Sequence, residues 1–174
     1  MTDLAAYIRD VPDFPKPGII FKDITPLLAD PAALGETVCQ LAGPYESKGA
    51  ELVVGVESRG FIFGALVAAH LGAGFVPIRK PGKLPAETIS QTYELEYGTD
   101  TIEIHADAIR SGQKVLMIDD LLATGGTMAA ACELVRRLGG DIIGVAFVIE
   151  LSFLAGRDKL AGCEVRSLIQ VAGE

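Results

Sequence analysis

The stretch Lys114 to Thr127, KVLMIDDLLATGGT, constrains the fold of this chain more than any other. Val115-Leu116-Met117-Ile118 is a short apolar run suited to a strand buried on both faces of a parallel sheet. Asp119 and Asp120 stand where that strand should end, near residue 119. Ala123-Thr124-Gly125-Gly126-Thr127 follows as a small-residue loop, and Met128, Ala131, Cys132, Val135 and Leu138 then recur at helical spacing. A strand, an acid pair, a Gly/Thr loop and a helix make one βα unit. Glycines let backbone approach an anion, and free N–H groups at a helix start favour negative charge. Carboxylates beside a phosphate loop make sense when the ligand also presents hydroxyl donors or a divalent cation, as a ribose 5-phosphate does. Neighbouring strand residues face opposite ways, so both acids reach one ligand only if the strand breaks there. No Gly-Lys-Ser/Thr follows, so this is not a Walker loop.

The other segments fit the same architecture. Leu4, Tyr7, Ile8 and Val11 have helical spacing up to Pro12. The stretch 13–18 is turn-rich, and 19–24 reads as extended. Asp30-Pro31 opens a helix running toward Tyr45, with Pro44 bending or ending it. Strands are expected at 52–56, 74–78, 115–119, 142–149 and 165–171. Helices are expected at 61–71 and 127–138, with a short one near 153–160. Between 88 and 105, polar/apolar alternation around Gly98-Thr99-Asp100 reads as an antiparallel hairpin excursion. Alternating strands and helices imply a single α/β domain over 1–174, with a mostly parallel twisted sheet and helices on both faces. Ligands of such sheets bind beyond the carboxyl ends of the strands. That rule gathers Glu57 to Gly60, Arg79 to Lys83, Asp119 to Thr127 and the segment after Ile149 into one site.

In a chain of 174 residues, 23 acidic against 15 basic side chains give a net charge of −8. A nucleic-acid binder would need a basic face, so that class is disfavoured. An anionic ligand must then be held by local cations and helix termini against the overall field. Arg59, in the small-residue context of Ser58 and Gly60, suits a second anion. Arg79, Lys80 and Lys83 form the densest basic cluster. His70 and His105 have no partner at metal-ligand spacing. Cys39, Cys132 and Cys163 read as buried thiols of a reducing cytoplasm. No apolar stretch is long enough to span a bilayer and no secretory signal is apparent, so a soluble cytoplasmic protein is expected.

The 115–128 run resembles the phosphoribosyl pyrophosphate signature of the type I phosphoribosyltransferases. FPKPGIIFKDITPLL (14–28), VESRGFIFG (56–64), PIRKPGKLP (77–85) and LEYGTD (95–100) resemble, in order, the motifs of the adenine-using branch of that family. The resemblance implies the fold already described, with an N-terminal hood at about 1–30 and a flexible lid at about 84–106. It implies transfer of a phosphoribosyl group to adenine, giving AMP and pyrophosphate, in a purine-salvage homodimer using Mg²⁺. Backbone groups of Ile20, Phe21 and Lys22 would read the base, with Phe21 and Leu151 closing on the ring. Ser58, Arg59, Arg79 and Lys83 would hold pyrophosphate, and Ala123 to Thr127 the 5-phosphate. Asp119 and Asp120 would bind the ribose hydroxyls, with no metal ligand supplied directly by the protein, the Mg²⁺ being carried by substrate beside these two acids. Glu96 would handle the adenine proton, and Tyr97 would belong to the lid. Lys22 stands where family members more often carry Arg, and Pro81 where some do. The competing classes are a phosphoribosyltransferase for a 6-oxopurine and a regulator that binds phosphoribosyl pyrophosphate without turnover. PGIIFKDIT favours adenine, and the absence of a basic face argues against the regulator.

Overall fold

The computed structural model describes residues 2–94 and 98–173. The N-terminal helical spacing yields only a 3₁₀ turn, Leu4–Tyr7, capped by the Asp3 carboxylate. From Arg9 the chain is extended: β1 (Arg9–Pro12) pairs antiparallel with β2 (Ile20–Asp23), placing Arg9 opposite Asp23 and Asp10 opposite Lys22. The expected helix through Val11 is therefore corrected to a turn and a strand. A helix of two turns is costly to nucleate, whereas opposite charges across a strand pair stabilise it. Both pairs are formed, Arg9 Nη2 to Asp23 Oδ2 at 2.6 Å and Lys22 Nζ to Asp10 Oδ1 at 2.8 Å.

A short helix that the spacing did not suggest, α1 (Thr25–Ala29), follows, with Asp23 accepting from Thr25 N at 2.9 Å. α2 (Pro31–Ala42) begins as its sequence dictates, the Asp30 carboxylate accepting from Ala32 N and Ala33 N at 3.0 and 2.8 Å. It ends at Ala42, and Pro44 lies in a 3₁₀ turn, Gly43–Tyr45. Then come β3 (Leu52–Val56), α3 (Arg59–Leu71), β4 (Gly74–Ile78), the hairpin of β5 (Thr88–Glu94) and β6 (Thr99–His105), β7 (Lys114–Leu122), α4 (Gly126–Arg137), β8 (Asp141–Leu151) and β9 (Val165–Val171). Two 3₁₀ turns, Ser152–Leu154 and Gly156–Leu160, replace the short helix expected near 153–160. Thr99 and Asp100 belong to β6 and not to the turn of the hairpin.

Five strands form one parallel sheet in the order β4-β3-β7-β8-β9. β7 is central, and its Val115 to Ile118 are fully buried. Each such side chain contributes about 1.5–3 kcal/mol by leaving water. One face of the sheet packs Val53, Leu116, Ile118 and Val148 against Leu27, Leu41, Phe63 and Val67 from α1, α2 and α3. The other packs Val54, Val56, Met117 and Phe147 against Ala131 and Val135 of α4 and Ile102 and Ile104 of β6. Helices thus lie on both faces, and the hairpin shares one face with α4. Of the cysteines, Cys132 is buried and Cys163 half-buried, but Cys39 is exposed on α2, against the expectation that all three are buried.

β7 runs to Leu122, beyond the expected end at residue 119, but its alternation slips at the acid pair. Leu116 and Ile118 face the α3 side; Leu121 packs on that same side and Leu122 on the other. In an unbroken strand Leu121 would sit opposite Ile118. The ladder continues while the side-chain phase shifts by one residue between them.

Candidate active site

The phase slip puts both acids beside the start of α3. Asp119 Oδ1 lies against Gly60, where a Cβ would sit 2.6 Å from it, and accepts from Asp120 N at 2.9 Å. Asp120 Oδ2 is 2.9 Å from Arg59 Nε, yet no N–H is aimed at it, and this buried oxygen has no hydrogen-bond donor. Burial pushes the Asp119 carboxyl well above the usual carboxylate range, with the adjacent Asp120 charge adding to the effect. Burial also raises Asp120, opposed by the Arg59 guanidinium. A buried carboxylate oxygen that has an ion-pair partner but no hydrogen-bond donor suits a hydroxyl donor or a cation brought by a ligand.

Around these acids lies a cavity of about 470 Å³ beyond the carboxyl ends of β3 and β7. On one side is the loop 123–127. Gly125 has φ of +77°, a left-handed conformation that favours glycine, and it caps α4. A Cβ there would overlap the Gly156 carbonyl oxygen and lie 3.0 Å from its carbon; one on Gly156 would overlap the Ala123 carbonyl oxygen. The loop therefore seats backbone to backbone on the 3₁₀ turn after β8, and no side chain separates them. Thr127 is in the first turn of α4, where N–H groups and the helix dipole favour an anion.

Opposite the loop, Arg59 joins three parts of the site. Its guanidinium lies 4.9 Å from the centre of the Phe21 ring, its Nη1 donates to Lys22 O at 3.4 Å, and its Nε faces Asp120. Of the residues expected from sequence, Phe21, Ser58, Arg59, Asp119, Asp120, Ala123, Thr124, Gly125, Gly126 and Thr127 all line the cavity. Ile20 and Lys22 flank Phe21 on β2, but their side chains do not line it, and Lys22 points to Asp10. Leu151, at the end of β8, is also outside the lining. Glu96 and Tyr97 fall outside the described residues.

The basic cluster divides. Arg79 and Lys83 are tied to Glu57, with Arg79 Nη2 at 3.2 Å and Lys83 Nζ at 2.6 Å from its Oε1, and neither lines the cavity. The Lys83 and Arg79 hydrogen bonds hold the Glu57 carboxyl down at about 2. Lys80 is the member of the cluster that does line the cavity. Its ammonium meets Asp100, which also accepts from Tyr93 OH at 3.2 Å. Burial lowers the Lys80 pKa, but the Asp100 and Tyr93 contacts outweigh it and the net shift is upward. The sequence places Lys80 in the basic cluster and Asp100 in the hairpin motif, and gives Tyr93 only a place in the hairpin alternation; it does not join the three. Tyr93 and Asp100 are a register pair across the hairpin, and strand pairing is the signal that could have placed them together.

The site thus offers an anion seat at the α4 start, two carboxylates in the middle, cations on the far rim and an aromatic ring beside Arg59. That set matches a ligand bearing a phosphate, sugar hydroxyls, a second anionic group and a flat base, as the substrates of a type I phosphoribosyltransferase do. Residues 45–167 match the family model of the phosphoribosyl transferase domain. The adenine phosphoribosyltransferase of Geobacter metallireducens is 59% identical over 169 residues, covering 97% of this chain and 99% of that protein. The structure of adenine phosphoribosyltransferase from Thermoanaerobacter pseudethanolicus superposes with a TM-score of 0.94 at 54% identity, over 97% of this chain and 98% of that one. The Saccharomyces cerevisiae adenine phosphoribosyltransferase, solved with adenine and an imino-altritol bisphosphate, gives a TM-score of 0.91 at 42% identity, over 95% and 96% of the two chains. The chain belongs to the adenine phosphoribosyltransferase family.

Proposed function

We infer that this protein transfers the 5-phosphoribosyl group of phosphoribosyl pyrophosphate to adenine, forming AMP and releasing pyrophosphate, a step of purine salvage. The observation that carries the reading is the convergence of the phosphate loop, the acid pair, Arg59 and Phe21 on one cavity. The 5-phosphate binds at Ala123 to Thr127 and fixes the sugar, so remote binding energy is used for orientation. Asp119 and Asp120 accept from the ribose hydroxyls; the donorless Asp120 Oδ2 is suited to that. As the bond to pyrophosphate breaks, positive charge grows on the ribose beside these carboxylates and negative charge grows on the leaving group. Arg59, Ser58 and Lys80 line the cavity on the leaving-group side, and Arg79 and Lys83 are held to Glu57 of the same wall. Preorganised cations stabilise that charge separation.

Adenine lies on Phe21, its edge read by backbone groups of the Ile20 to Lys22 strand; Leu151 serves the other ring face if the segment after β8 closes inward. Glu96 handles the adenine proton, and Tyr97 helps exclude water. Among the described residues no three His, Cys, Asp or Glu side chains converge as a metal cage. We assign Mg²⁺ as an ion carried by the substrate's own oxygens, with Asp119 and Asp120 beside it, where the donorless Asp120 Oδ2 suits a cation. It would add positive charge at the pyrophosphate. No helix among the described residues is long and apolar enough to cross a membrane. We assign the protein to the cytoplasm on its three free cysteines, which suit a reducing compartment. A second copy packs on α3, where Ile62 and Leu66 are exposed one turn apart.

The decisive assay is AMP formation from phosphoribosyl pyrophosphate and Mg²⁺ with adenine, set beside hypoxanthine, guanine and xanthine. Adenine alone should turn over, and Glu96→Ala should slow it at least about tenfold. Turnover of a 6-oxopurine would overturn the base assignment, and binding without turnover would overturn the reaction.

A further inference from the structure

Asp100 is an acid in the cavity wall for which the proposed chemistry has no use. It stands on β6 directly across from Tyr93 on β5. Its Oδ2 takes the Lys80 ammonium and accepts from Tyr93 OH, and Tyr93 OH in turn accepts from Thr127 Oγ1 at 3.1 Å. Its Oδ1 accepts from Thr101 N at 2.8 Å, which fixes the carboxylate to its own strand. Donors from both rims of the cavity therefore end on one carboxylate. Thr127 belongs to the 5-phosphate seat, and Lys80 is the cation of the basic cluster that reaches the cavity. Among the described residues, the Asp100 charge occupies the place an incoming anion would take at Lys80.

We propose that Asp100 is an internal counterion that competes with pyrophosphate for Lys80, and so limits how tightly the pyrophosphate end of the substrate, and free pyrophosphate after reaction, is held. This rests on the site being a phosphoribosyl pyrophosphate site. A strongly anionic product leaving a cavity of fixed cations has a slow exit unless something replaces it. A carboxylate held within reach by the hairpin is that replacement, and it restores the ion pair as pyrophosphate departs.

The test measures Mg²⁺-pyrophosphate binding by calorimetry in the wild type, Asp100→Asn, Lys80→Met and the double variant, alongside steady-state AMP formation. Asp100→Asn keeps the size and one acceptor oxygen, for Tyr93, while removing the charge and giving up the Thr101 N hydrogen bond. It should bind pyrophosphate roughly threefold to tenfold more tightly, the scale of one partly exposed charge pair. It should also lower KM for phosphoribosyl pyrophosphate without raising kcat, and strengthen product inhibition by pyrophosphate. In the Lys80→Met background the tightening should vanish. Asp100→Ala should give the same sign if the Asn variant is poorly folded, and Tyr93→Phe, which keeps the charge, should leave pyrophosphate affinity within about twofold. Equal or weaker pyrophosphate binding by Asp100→Asn would overturn the proposal, since Asp100 would then be positioning Lys80. An equal tightening in the Lys80→Met background, or in Tyr93→Phe, would overturn it too. A wild-type protein that neither binds pyrophosphate nor forms AMP would instead sink the reading of the site.

Discussion

Replacing Gly125 by alanine tests whether the phosphate seat is made by backbone contact. Two separate costs meet at this position. The φ of +77° strains any residue with a Cβ, by about 1–2 kcal/mol. The new methyl would also overlap the Gly156 carbonyl, which is main chain and cannot swing aside, and forced overlap costs about 1–3 kcal/mol. Together they give about 3 kcal/mol, or roughly 9 °C in Tm for a domain of this size. Two controls separate the terms. Gly112 has φ of +80° with nothing within 4 Å of an added Cβ, so Gly112→Ala carries strain alone, about 1 kcal/mol and roughly 3 °C. Gly156 lacks a positive φ but would overlap Ala123 O, so Gly156→Ala carries overlap alone, about 2 kcal/mol and roughly 6 °C. Differential scanning calorimetry of the ligand-free proteins should rank them Gly112→Ala, Gly156→Ala, Gly125→Ala in increasing damage. The Gly125 and Gly156 variants should also raise KM for phosphoribosyl pyrophosphate, whereas Gly112→Ala should not. If Gly125→Ala melts together with Gly112→Ala, the contact with Gly156 does not constrain the loop and the reasoning is refuted.

Three further outcomes follow from the charges. Asp119→Asn should raise the Tm of the ligand-free protein at pH 7.5. Burial and Asp120 raise the Asp119 pKa, so the native state loses stability as pH rises through that value, and the gain should fade as pH falls to the ordinary carboxylate range. Activity should fall roughly a hundredfold in the same variant. Glu57→Gln should destabilise the protein at pH 7. The Glu57 pKa is depressed from 4.5 to about 2, so its contribution is present above 4.5 and lost as pH falls through 2; urea midpoints of the two proteins should converge there. Arg157→Met should cost about 2 kcal/mol, because Glu150, 5% exposed, loses both 2.6 Å hydrogen bonds from a guanidinium that is itself 39% exposed. Chemical denaturation would measure it, and an unchanged midpoint would show that Glu150 is solvated.

The parallel sheet was legible because its strands 52–56, 74–78 and 115–118 are short apolar runs, the first and last of them followed by a helical pattern, and such runs have few other places to go. The acid pair and the loop after it were legible as the continuation of a buried strand, and the structure puts both on the cavity wall. Helical spacing misled at Leu4 to Val11, where pairing with Ile20–Asp23, a contact between distant residues, outweighs the local signal. The roles of the basic cluster could not be divided from sequence. Arg79, Lys80 and Lys83 differ in surroundings only because Glu57, 22 to 26 residues away, binds the first and last and leaves the middle ammonium to Asp100. Tyr93 and Asp100 were hidden likewise, since their side chains meet only through the hairpin register. The seating of Gly125 on Gly156 joins two loops that follow different strands, and nothing local to either announces it.

The contact of Gly125 with Gly156 is main chain on main chain, so the loop proposed to seat the phosphate has no side chain at that contact that substitution can adjust. Changes there abolish the seat or leave it alone, so new substrates are not reached by editing it. The strand proposed to face the base is different. β1 and β2 form a separate two-stranded sheet preceding residue 45, where the family match begins, and Arg59 is the cavity side chain that bridges β2 to the acid pair. On the proposed reading of the site the molecule is in that sense modular: a fixed socket for the sugar phosphate and an exchangeable jaw for the base. A search for variants that accept other bases would do best to randomise the jaw and leave the socket untouched.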